Sequence, residues 1–129
     1  MKNPHAIDRK FLEEQSAGIT EEDIRRIQPK LKEIRREFER QAPLKRFFED
    51  AKLLILLLQE YHSGNYRTVP WWAISAVVFA LLYVFNPMDI IPEFIPVIGY
   101  IDDAAVVALC LSFIEEELVK FQFWKLRHQ

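Results

Sequence analysis

Several things are scarce in this sequence, and each scarcity excludes a class of protein. Glycine occurs three times in 129 residues. With so few turn residues, and with apolar positions recurring at helical spacing, a sheet-rich fold lacks the chemistry for its reversals. Cysteine occurs once, at Cys110, which rules out an intramolecular disulfide and fits a reducing compartment. The N-terminus, MKNPHAIDRKFLEEQ, has no apolar run ahead of its charges, so a cleaved signal peptide is not expected. No glycine-rich phosphate loop, cysteine–histidine zinc spacing or nucleophile elbow occurs. Basic charge is missing from a long stretch: no Lys or Arg lies between Arg67 and Lys120.

What is present divides the chain in two. Its length suits one domain with one modest core. Of the 17 Lys and Arg, 14 fall in the first 68 residues, beside 12 acids, whereas the remainder carries 3 bases and 7 acids. The near-neutral total therefore hides a charged first half and an apolar second half. The expected fold is all-α: a small bundle of about four helices, in which two amphipathic helices precede an apolar hairpin with an irregular, proline-rich connection.

Residues 1–19 mix charge, Pro4 and Gly18 with a short apolar scatter, Ile7, Phe11 and Leu12, and read as a loosely held arm. Residues 20–64 read as the two amphipathic helices. Thr20 and Asp23 have capping-box spacing, and Glu21 and Glu22 put negative charge at the positive end of the helix dipole. Ile24, Ile27, Leu31, Ile34 and Phe38 follow at steps of three and four, a one-faced helix that Pro29 should kink or restart. Pro43 suits the first turn of the second helix, which stops at Gly64. Its second half contains LLILLL at residues 53–58, apolar all round, as in a helix buried between others or touching lipid.

Residues 65–129 form one folding unit with the preceding helices and contain the hairpin. Residues 69–85 carry no charge and begin with Trp71 and Trp72, as at a membrane interface. As a helix this segment would be about 25 Å long, a little short of a roughly 30 Å hydrocarbon core. Its nine Val, Ile, Leu and Phe residues favour insertion by about 3 to 5 kcal/mol. Its partner, residues 104–114, would reach only about 16 Å. It is bounded by Asp102 and Asp103 before it and Glu115, Glu116 and Glu117 after it, and each carboxylate drawn to the bilayer centre costs about 2.5 to 3.5 kcal/mol. Leu118, Phe121 and Trp124 extend an apolar stripe beyond the acids.

The connection, residues 86–103, is the most specific stretch. Pro87, Pro92 and Pro96 forbid a long helix there and Gly99 permits a reversal. Asp89, Glu93, Asp102 and Asp103 are candidate ligands for a divalent cation, since carboxylates gathered without a basic neighbour suit Mg²⁺, Ca²⁺ or Mn²⁺. Helix capping competes with that reading and is favoured over it. Asn86, Pro87 and Asp89 have the order of a helix start, and Asp102 and Asp103 can cap the final helix. Pairing with Arg or Lys of the first two helices is a third use of the same acids. Elsewhere His62 fits a helix C-terminus, with no nucleophile placed beside it, and Cys110 reads as a small core residue. The basic residues from Arg25 to Arg46 alternate with Glu and lack interleaved aromatics, so a solvated face is expected and nucleic acid is not an expected partner.

Residues 83–103 resemble the signature of the YkvA-like family, a bacterial domain of unknown function. Pro87, Asp89, Pro92, Pro96, Gly99, Asp102 and Asp103 stand at the family's spacing, Tyr83 precedes them, and an apolar helix lies on each side. The resemblance covers roughly residues 50–124. Asn86 and Glu93 replace the Ser and Asp that family members often carry, which preserves a capping group and a carboxylate. The resemblance implies membrane association and no agreed activity. The leading expectation is thus a non-enzymatic anchor or adaptor in the bacterial inner membrane, with both termini cytoplasmic because basic residues lie outside the hairpin. Its partner would be membrane lipid, and no cofactor is expected. The alternative is a soluble cytoplasmic domain that binds a protein or a second copy. The third reading is an enzyme holding a metal at the carboxylates. On the cation reading, the double substitution Asp89→Asn with Asp102→Asn abolishes a Mg²⁺- or Ca²⁺-dependent rise in melting temperature. A wild-type melting curve indifferent to both ions defeats that reading.

Overall fold

The computed structural model describes residues 8–85 and 103–128. Among the described residues the chain is α-helical with two 3₁₀ turns and no strand, as the scarcity of glycine implies. The helices are α1 (Arg9–Ser16), α2 (Glu21–Ile27), α3 (Leu31–Arg40), α4 (Phe48–Ser63), α5 (Trp71–Phe85), α6 (Asp103–Phe113) and α7 (Glu115–Arg127).

Local rules set most of the boundaries. Thr20 accepts from the Asp23 backbone N–H and Asp23 returns a bond from the Thr20 backbone, closing the expected capping box on α2. Pro29 sits in a 3₁₀ turn, Gln28–Lys30, that divides the first amphipathic helix into α2 and α3. Pro43 does not open α4 directly. It falls in a second 3₁₀ turn, Ala42–Phe47, and α4 starts only at Phe48. Gly64 ends α4 at φ 89°, a left-handed conformation that glycine adopts without steric cost. Ile114 separates α6 from α7. These divisions raise the helix number above the four expected.

Residues 9–16, read from sequence as part of a loose arm, form a helix. Asp8 caps it by accepting from the Phe11 N–H at 2.9 Å. Its Leu12 is fully buried, and Phe11 meets Phe79 edge-on at 6.1 Å between ring centres. The helix is held by what it covers, a contact that a short apolar scatter does not advertise.

What it covers is α5. Every residue from Ala73 to Leu81 is buried, more than two full turns with no face to solvent. Helices α1, α2, α3, α4 and α6 all pack against it. α6 runs antiparallel to α5: Trp72 meets Phe113 at 5.0 Å and the Cys110 thiol lies 3.6 Å from the Ala76 carbonyl. The surrounding helices turn their apolar stripes inward, Ile24 and Ile27, Leu31, Ile34 and Phe38, Leu54, Leu57 and Leu58, all buried. Their outer faces carry short-range ion pairs such as Arg36–Glu33 at 2.8 Å and Lys52–Glu49 at 3.0 Å, each a small contribution in water.

This arrangement corrects the expectation of a transmembrane helix in residues 69–85. At 15 residues α5 is about 22 Å long. Among the described residues no helix is long and apolar enough to cross a membrane. Its uniform hydrophobicity is that of a central helix enclosed by protein, whereas the LLILLL half of α4 buries Leu54, Leu57 and Leu58 fully and leaves Leu53 and Leu56 half-buried. Because α5 is the hub, Phe79→Ala should lower the free energy of unfolding by about 3 to 5 kcal/mol, whereas Phe123→Ala on the exposed side of α7 should change it by no more than about 0.5 kcal/mol. Urea unfolding followed by helical circular dichroism separates the two. Similar losses would mean that α5 is not the enclosed element.

Candidate functional site

The carboxylate set proposed from sequence falls largely outside the described residues: Asn86, Pro87, Asp89, Pro92, Glu93, Pro96, Gly99 and Asp102 all do. Asp103 is described. It is the first residue of α6, half-buried and engaged by a neighbour, an acid in the first turn of that helix. Among the described residues no three His, Cys, Asp or Glu side chains are grouped to hold a metal.

His62 lies exposed in the last turn of α4, where the sequence reading puts it. Cys110 is fully buried in α6, facing the Ala76 carbonyl. Burial pushes its thiol from 9.0 up to about 12, because a thiolate there would lose its hydration. It is a core residue and no nucleophile at neutral pH.

Two surface features remain. The first is an open groove of about 780 Å³ between α3, α4 and α7. Its floor is apolar, formed by Leu31, Leu53, Ile55 and Leu56. Four cations reach its rim, Lys32 and Arg35 from α3, Lys52 from α4 and Lys125 from α7, against two acids, Glu49 and Asp50. Lys52 is shared between Glu49, at 3.0 Å, and the ring of Phe48, at 5.0 Å; Arg35 lies 5.6 Å from the same ring. Gln59 and Gln122 add amide donors. A groove with surplus positive charge over an apolar floor suits an anion that carries an apolar portion.

The second feature is the outer face of α7. Its inner face does the folding: Phe121 is fully buried, and the Tyr66 ring packs at a tilt against Phe121 and Trp124, 5.0 and 5.1 Å between ring centres. On the other side Val119, Phe123 and Leu126 are 44%, 61% and 67% exposed. At spacings of four and three they form a second apolar stripe, a ridge open to solvent. Trp71 and Trp72, at the start of α5, complete the set of large exposed apolar residues among the described ones, at 40% and 45%. Phe113 packs on Trp72 and carries the Arg9 guanidinium over its ring at 4.9 Å.

The sequence reading missed both features. The ridge was legible as apolar positions at i, i+4 and i+7 in EEELVKFQFWKLR, but the stronger inward stripe on the same helix masks it. The groove was not legible, because its cations come from three helices whose arrangement no local pattern fixes.

The comparisons with known proteins bear on the hairpin. Residues 73–109 match a family profile described as a protein of unknown function (DUF1232). Over 71 residues the chain is 35% identical to an uncharacterized membrane protein, YkvA, of Bacillus subtilis (strain 168), a match spanning 55% of this chain and 67% of that relative. The chain belongs to the YkvA-like family. No solved structure matches it. Residues 73–109, the part shared with the family profile, include most of α5 and the first part of α6, so the profile follows the hub of the bundle and its antiparallel neighbour. The groove and the ridge lie on α3, α4 and α7, outside those residues.

The environment of Cys110 makes a pH prediction. The unfolded chain releases the thiol proton near pH 9 and the folded chain only near pH 12. The stability due to the protonated thiol is therefore complete below about pH 9 and disappears as pH rises toward 12. Urea unfolding at pH 8 and pH 11 should show a larger loss for wild type than for Cys110→Ala. Parallel losses would mean that the thiol reaches solvent in the native state.

Proposed function

We propose that this chain is a non-enzymatic helical adaptor that attaches, as a folded bundle, to the cytoplasmic face of the bacterial inner membrane without crossing it by α5. The observation that carries the reading is where the apolar surface goes. The long apolar helix is enclosed by five others, while among the described residues the large exposed apolar side chains lie in the first turn of α5 and on the outer face of α7. Two of them are tryptophans, whose amphipathic rings favour the headgroup level of a bilayer. The relative's description as a membrane protein supports attachment.

A second reading, a domain that self-associates or binds another protein, is favoured by the same enclosure of α5, since a bundle whose hub is already covered by protein is complete without lipid. Extraction separates these readings from a spanning hairpin. Alkaline carbonate and high salt should release the full chain from isolated membranes, and retention through both washes would overturn surface attachment. A chain found only in the membrane-free fraction before any wash would favour the second reading.

A further inference from the structure

Resting on the second reading, that of a self-associating domain, we infer that the ridge on α7 is the contact surface of a two-fold dimer. The α7 helices of two copies lie antiparallel in it, with their stripes of Val119, Phe123 and Leu126 face to face. At about 100° per residue, the exposed arc of α7 runs from Glu115 through Leu126, Val119 and Phe123 to Glu116 and then Arg127. Carboxylates therefore border the stripe on both sides, and both stand in the first turn of the helix. Arg127, which follows Glu116 on the same flank, stands in the last turn. Lys120, farther round, belongs to Glu117 at 3.3 Å. Glu115, Glu116 and Arg127 form no ion pair among the described residues.

Charge complementarity selects a second copy as the occupant and fixes its direction. In an antiparallel pair the two-fold axis lies across the helices and keeps each flank beside the same flank of the other copy. Glu116 of one copy then meets Arg127 of the other, and the symmetry makes the contact twice. The register agrees with this. Glu116 and Arg127 are about 16 Å apart along the helix, and their midpoint lies one residue, about 1.5 Å, from the midpoint of the stripe. One alignment therefore sets stripe on stripe and acid beside base. A parallel pair would instead gather the four first-turn carboxylates at one end, where like charges repel. An anionic bilayer would meet the same carboxylates on both sides of the ridge and be repelled by them. A single helix pair of this length covers less than the roughly 1,200 Å² of a stable interface, so the dimer is weak and reversible.

Sedimentation equilibrium of the full chain tests this. Wild type should pass from monomer toward dimer between micromolar and submillimolar concentration, and less so as salt is raised. Phe123→Ser with Leu126→Ser should weaken the dimer at least about tenfold. Glu116→Arg or Arg127→Glu alone should weaken it about fivefold, since each sets like charges across both symmetric contacts. Combining Glu116→Arg with Arg127→Glu should return the affinity to within about twofold of wild type. The two positions are too far apart on one helix to compensate each other within a monomer, so recovery reports a contact between copies. Circular dichroism should show every variant as helical as wild type. A chain that stays monomeric at submillimolar concentration overturns this inference and the self-association reading together. A dimer indifferent to the ridge substitutions leaves self-association standing and overturns α7 as its surface. A ridge-dependent dimer that the double reversal fails to recover overturns the antiparallel arrangement. Flotation with phosphatidylcholine vesicles that Phe123→Ser with Leu126→Ser abolishes, in a chain that forms no dimer, would assign the ridge to lipid and overturn the proposal.

Discussion

A helix that is apolar on every side needs cover on every side, and α5 imposes that demand on the rest of the chain. Nine consecutive buried residues, Ala73 to Leu81, leave no direction in which water is acceptable. One neighbour can cover only part of such a helix, so five pack around it. The charge partition of the sequence follows from this. The helices around α5 need one apolar stripe each and one solvated face each, which explains why the first half is rich in both Leu or Ile and Lys, Arg or Glu. It also explains why residues 9–16 fold: Phe11 and Leu12 supply cover that α5 would otherwise lack.

The antiparallel pairing of α5 with α6 gives the bundle two distinct ends. At one end Trp72 and Phe113 meet, with Arg9 over the Phe113 ring. At the other, Phe85 and Asp103 mark where the chain enters and leaves the signature segment. The buried thiol of Cys110, 3.6 Å from the Ala76 carbonyl, lies about one turn in from the Trp72–Phe113 end, and the small side chain at Ala76 permits that approach. The family profile covers this pairing and not the outer helices.

Local chemistry was legible in the sequence wherever a few adjacent residues decide the outcome. Thr20 with Asp23, Pro29 and Gly64 act through their own backbone neighbours, and each did what its pattern implies. The surroundings of 69–85 were not legible in the same way. An apolar helix has the same hydropathy whether lipid or protein covers it, and only its 15-residue length and the number of helices around it distinguish the two. The carboxylate candidates Asp89, Glu93 and Asp102 lie outside the described residues, and Asp103 alone could be placed, at a helix start. The groove shows the reverse case. Lys32 and Arg35 lie in the Arg25–Arg46 stretch that reads as a solvated face, and Lys52 and Lys125 join them only through the packing of α4 and α7 beside α3.

α7 carries apolar residues on two opposite faces, and the two have different physical explanations. In the inner set Leu118 and Phe121 are buried, and Phe121 and Trp124 pack against Tyr66, contacts that attach the helix to the bundle. The outer set cannot be explained by folding, since Val119, Phe123 and Leu126 remain exposed when the fold is complete. Scattered single apolar residues on a surface are ordinary, but three in register on one helix form a continuous patch. Such a patch favours association of some kind in water, and by helical periodicity the exposed carboxylates Glu115 and Glu116 border it on its two sides. The same helix can therefore close the bundle with one face and present a binding edge with the other, and α5 need not leave the core for the protein to reach a membrane.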